Sequence, residues 1–181
     1  METRTKKFVV KRKISDESYE VEWDSRPAAI HFLSTADGIK VQDHFSKLSG
    51  CDSIVHIRDS FYASKDSSDC WKQEKSNDIE YYKKDQISEK AAEHVTVLVT
   101  ELGTINLEQY LANVNWKVPL PFVVDVSISV CKAIVAIHKL GVVHTEIHPE
   151  HIVESGGRWK LAGGLTALAA EGGASSRLLA R

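Results

Sequence analysis

The chain opens with three short runs rich in β-branched and aromatic residues, "KKFVVKRKI", "SYEVEW" and "PAAIHFL", separated by the polar turns "SDES" and "DSR". Their spacing predicts a small antiparallel meander. "IKVQDHFSKL" then sets Ile39, Val41, Phe45 and Leu48 near one helical stripe, with Gly50 as the stop. Two more strands are predicted in "SIVHIRDSFYA" and "HVTVLVTEL". Between them, Ser64 to Glu93 is charged and serine-rich, too polar to pack as core, and reads as a long mobile excursion.

The period of the pattern changes after Gly103. Asn106 is placed to cap a short helix, "LEQYLAN", and Pro119 and Pro121 introduce a long one ending near Leu140, with Gly141 just past its end. Val123, Val126, Val130, Ala133, Ile134 and Ile137 give the long helix a broad apolar face. It is therefore expected to be largely buried, with Cys131 as an inert packing residue. "GVV" reads as a strand, and "HIVE" and "RWKLA" as the arms of a hairpin around Gly156 and Gly157. Trp159 is expected to pack and Lys160 to be solvated. The final "TALAAEGGASSRLLAR" is rich in small residues and is expected to be poorly ordered.

Composition narrows the possibilities. A chain of 181 residues with 43% hydrophobic residues can bury a real core. Its bases nearly balance its acids, for a net charge of -2, and are scattered, so no basic face is available to grip nucleic acid through counterion release. The most apolar stretch, Val118 to Val143, is interrupted by Asp125, Lys132, His138 and Lys139, short of the roughly 18 uninterrupted apolar residues of a membrane span. The start lacks the run of about 7–15 apolar residues of a signal peptide. Cys51, Cys70 and Cys131 are odd in number and lack CxxC spacing, which argues against disulfides and structural zinc. A cytosolic or nuclear setting with reduced thiols is the expectation.

The order of these elements, with "HTEIHPEHIV" after the long helix and "WKLA" after a hairpin, resembles the eukaryotic protein kinase fold from about Phe8 to about Leu165. The resemblance implies an α+β, bilobal fold. Residues 1–102 would form an antiparallel small-lobe sheet with its αC helix and a polar insertion at 64–93. Residues 103–165 would form an incomplete, mainly helical large lobe, and 166–181 a disordered tail. "VLVTELGTINLEQYL" is similar to a kinase fifth strand, hinge and following helix, which puts Thr100 at the gatekeeper position and Glu101, Leu102 and Gly103 in the hinge. Ala29 and Ile152 would be the apolar residues left to hold an adenine.

The kinase loop H-R-D-x-x-x-x-N uses its Asp for the substrate hydroxyl, its Asn for magnesium, and a Lys between them for the transferring phosphate. The matching positions here are His144, Thr145, Glu146, His148 and His151. Glu146 keeps a carboxylate. His148 carries no fixed charge, and His151 is a poor ligand for an oxygen-seeking cation. V-A-I-K becomes "AAIH", with His31 in the lysine position. "SDESYEV" offers no glycine to the phosphates, and Asp16, Glu17 and Glu20 would repel them. Val41 or Gln42 stands where the αC glutamate belongs, and "AGGL", without a carboxylate, replaces D-F-G. "WKLAGGL" is similar to Scy-like trafficking pseudokinases.

The resemblance thus implies a pseudokinase, an impaired kinase-like domain that binds proteins, with no cofactor beyond weak, metal-independent ATP binding. Two rivals stand beside it. One is a divergent kinase transferring phosphate with Glu146 as base. The other is a truncated product without independent function, since activation segment, A-P-E and central helix are missing from the sequence. That absence would leave the long helix short of partners and prone to self-association through its apolar face. His144, His148 and His151, at i, i+4 and i+7 with Glu146 and Glu150 between, would gather zinc ligands on a continuous helix. Pro149 interrupts it, so a buried His144 and two exposed histidines are expected. Trp71, Tyr81 and Tyr82 in the insertion either anchor a protein partner or fold back onto the small lobe.

Overall fold

The computed structural model describes residues 4–15, 18–66, 78–82 and 94–162. The fold is α+β, in two compact units. One comprises Met1–Gln42 and Ile57–Leu102, the other Asp43–His56 and Gly103–Arg181.

In the first unit the predicted meander forms as β2 (Val9–Ser15), β3 (Ser18–Trp23) and β4 (Arg26–Ser34). A two-residue turn joins β3 to β4, with positive φ at both Asp24 (48°) and Ser25 (58°), the backbone hand that matches strand twist. With β1 (Arg4–Lys7), β5 (Ile57–Ser64), β6 (Asp78–Tyr82) and β7 (His94–Glu101), these strands make one sheet in the order β1-β6-β5-β7-β4-β3-β2. Every pairing within it is antiparallel.

β1 and β2 end this order, yet Phe8 alone links them. Laid flat, seven strands would separate those ends by roughly 29 Å. A one-residue link spans about 7 Å. The sheet therefore curls until its ends meet, and the run read as one strand breaks at Phe8 to serve both. The Phe8 side chain is 1% exposed. It stacks on Trp23 at 4.9 Å and on Phe61 at 5.9 Å, within a core that includes Val21, Ile30, Phe32, Val97 and Val99.

Two expectations for this region are corrected. The excursion from Ser64 to Glu93 contains a strand, because Asp78–Tyr82 pairs with β5 on one side and β1 on the other. Charge masked its alternation, and two strand edges were available to satisfy its backbone. Tyr81 and Tyr82 lie on that strand, whereas Trp71 falls outside the described residues. The helix expected over "IKVQDHFSKL" starts one turn earlier, as α1 (Thr35–Leu48). Ser34 caps it, accepting from the Asp37 amide at 3.1 Å while its hydroxyl donates to the Asp37 carboxylate at 2.7 Å. Gly38 is required inside this helix because a Cβ there would overlap the side chain of Thr96.

The second unit holds the short sheet β10-β9-β8, from β8 (Ile105–Asn106), β9 (Ile152–Ser155) and β10 (Arg158–Leu161). Gly156 and Gly157 turn the β9–β10 hairpin with φ of 62° and 77°. Asn106 caps α2 (Leu107–Asn113) in a reciprocal box with Gln109. α3 (Leu120–His138) packs on β10, and Phe122 joins Tyr110 and Trp159 in an aromatic cluster.

Burial departs from expectation here. Of the stripe expected to be covered on α3, Val126, Ala133 and Ile137 are buried, Val130 and Ile134 are half-buried, and Val123 is 44% exposed. Cys131 is exposed rather than packed, because it lies on the opposite side of the helix from Ala133. "GVV" forms no strand, although Val142 is buried. Lys160, expected to be solvated, is buried at 8% exposure.

Candidate functional site

His31, expected at the position of a kinase lysine, is at the best-defined polar site of the first unit. His31 lies in β4, opposite Ser18 of β3 and Leu98 of β7. Its Nδ1 is 2.8 Å from the Ser18 hydroxyl, and its Nε2 is 3.1 Å from the hydroxyl of buried Thr100. A hydroxyl donates or accepts as required, so a neutral ring is satisfied at both nitrogens. Only a minor part of the residue reaches solvent. Burial lowers its pKa from 6.5 to about 4, so the ring is uncharged at neutral pH. Ala29, on the same strand, pairs with Thr100 and is also buried.

The groups expected to accompany this position do other work. Val41 is fully buried as packing, and the Gln42 carbonyl accepts from the Tyr62 hydroxyl at 3.4 Å. Glu20, expected to repel phosphates, is compensated by Arg12 at 2.5 Å. Asp16 and Glu17 lie outside the described residues. Glu101 and Leu102 are half-buried at the end of β7.

In the second unit the loop around Glu146 is bonded to itself. His144, 3% exposed, has Nε2 3.3 Å from the Ala162 carbonyl and accepts from the Glu146 amide at Nδ1, 3.4 Å away. Those partners select the neutral tautomer protonated at Nε2, and burial lowers the pKa of the ring. Pro149–His151 form a single 3-10 turn, as the proline dictates. His151 donates from Nδ1 to the Glu146 carbonyl at 2.8 Å, and its backbone carbonyl accepts from the Ala162 amide at 2.7 Å.

His148 and His151 are partly exposed and lie ring against ring, 4.0 Å between centroids. The Glu146 carboxylate is exposed, 3.9 Å from His151 Nδ1. Ile152 is buried, and Gly103 is covered by Val153, whose Cβ would sit 2.5 Å from an added Cβ. Among the described residues no three His, Cys, Asp or Glu side chains are grouped to hold a metal ion. Gly163, Gly164 and Leu165 lie outside those residues.

The hydroxyl bracket of Ser18 and Thr100 was missed in the sequence. Half of it was within reach. Once the turn is placed between Trp23 and Arg26, antiparallel counting sets Ser18 opposite His31. No protein-family model and no curated protein sequence matches the chain.

Proposed function

We propose that the chain is a kinase-like domain that transfers no phosphate and acts by binding other proteins. The observation that carries this reading is His31. At the position where a kinase holds a permanently charged lysine against the α- and β-phosphates, this chain holds a neutral imidazole fixed by two hydroxyls. The antiparallel strands β2, β3, β4, β7 and β5, with α1 between β4 and β5, are compatible with a kinase small lobe. The loop at Glu146 supports the reading too, since its histidines bond to their own backbone.

Positioned donors of this kind are each worth about 100-fold or more in rate. They act as a unit, so losing the lysine, its glutamate and the magnesium ligands together leaves no working assembly. Adenine nucleotide binding, where it occurs, is weak and indifferent to magnesium. The test is transfer of radiolabelled phosphate from ATP to the chain or to generic protein substrates, expected to be undetectable. Incorporation that disappears in Glu146→Ala would overturn the reading in favour of a divergent kinase with Glu146 as its base.

A further inference from the structure

α3 carries two apolar stripes on opposite sides. Val126, Ala133 and Ile137 face inward. Val124, Ile128, Cys131 and Val135, at intervals of four, three and four, are exposed, Val135 by 53%. A helix apolar all round is normally surrounded. The most apolar part of α3 is only 17% buried.

Beside this outer stripe runs an open groove of about 730 Å³. Leu48, Gly50 and Cys51, from the end of α1 and the turn after it, form one side, and α3 from Ser127 to its end, with Lys139 and Leu140 just past it, forms the other. At 1.5 Å per residue that stretch of helix is about 18 Å long, the length of roughly three turns of a partner helix.

The charge of the groove is one-sided. Lys47, Lys132 and Lys139 line it and no acidic residue does. Lys47 is paired with Asp43 at 2.6 Å, whereas Lys132 and Lys139 have no carboxylate partner among the described residues. A second copy of α3 would bring the same lysines to face these. A flat bilayer would fit their charge but would not reach buried Leu48 or half-buried Cys51 at the side of a groove.

We propose that this groove docks an amphipathic helix of another protein, with acidic residues along the margins of its apolar stripe. The proposal rests on the protein-binding reading above and names the partner's chemistry and its seat.

Two synthetic 16-residue helical peptides with the same leucine stripe, one flanked by glutamates and one by lysines, test it by fluorescence anisotropy against the whole chain. The glutamate peptide is expected to bind at least tenfold tighter, to weaken with salt, and to slow alkylation of Cys131. Lys132→Glu with Lys139→Glu, both at exposed positions, should reverse the preference between the peptides. Equal affinities, or an order that survives the charge reversal, would overturn the proposal. So would concentration-dependent dimers that the glutamate peptide fails to disperse, which assign the face to a second copy. Protection of Cys131 by phosphatidylserine vesicles alone would likewise sink it, in favour of a bilayer. If neither peptide binds while phosphate transfer is still absent, the groove assignment fails and the non-catalytic reading stands.

Discussion

Helix α3 of the second unit is richer in apolar residues than the curled sheet of the first, yet less of it is covered. In the sheet, alternation sends Val21, Ile30, Phe61, Val97 and Val99 to one side, and closure around Phe8 leaves them almost dry. In α3, apolar residues occur on both sides, but β10 covers one. Hydrophobicity along a chain therefore reports how much cover an element calls for. Whether the cover is present depends on what packs against it.

Substitution in the two regions should separate them most. Phe61→Ala removes a ring stacked on Phe8 and Trp23 and is expected to cost about 3–5 kcal/mol. Ile128→Ala, on the exposed stripe, should stay within about 0.5 kcal/mol of the parent. Guanidinium denaturation followed by circular dichroism measures both, and equal costs would erase the contrast.

Acid should weaken the sheet through His31. Its pKa of about 4 when folded lies below the unfolded value of 6.5, so between those pH values the unfolded chain binds more protons. Stability contributed by the neutral ring is complete above about pH 6.5 and falls as pH drops to about 4, by up to about 3 kcal/mol. His144, also lowered by burial, contributes with the same sign. Denaturation midpoints across this window should slope less in His31→Gln. An unchanged slope would mean that the ring is not held neutral.

A smaller effect lies where α1 meets the sheet. Gly38→Ala is expected to cost about 1–3 kcal/mol by overpacking against Thr96. The Thr96 hydroxyl is buried without a partner among the described residues, so Thr96→Val should hold or raise stability, by about 1 kcal/mol at most. Thr96→Ala should recover part of the Gly38→Ala loss in the double variant, and strict additivity would contradict the contact. Smallest of all, maleimide should modify exposed Cys131 before half-buried Cys51 with no change in the far-ultraviolet spectrum.

What the sequence revealed depended on how local the cause was. The meander, the Asn106 cap, the Gly156-Gly157 turn and the break at Pro149 each follow from a few neighbouring residues, and each is present. β6 escaped notice because charge masks the alternation of "DIEYY", and only its partners β1 and β5, far away in the chain, make it a strand. The exposure of Cys131 and Val135 escaped because periodicity marks a face as apolar without showing what meets it. At the candidate site, His31 and Glu146 could be marked by position. The hydroxyl of Thr100 beside His31 required the non-local register of β4 on β7.

The central claim is that His31, proposed to stand where a kinase carries its lysine, holds no charge at neutral pH for a nucleotide's phosphates. Thermal melting of the whole chain with ATP, once with magnesium and once with EDTA, tests it most directly, because a ligand that binds the folded state raises the midpoint by mass action. The two curves are expected to coincide, with at most a small shift common to both. A midpoint several degrees higher with magnesium than with EDTA, lost when His31 is changed to alanine, would contradict it.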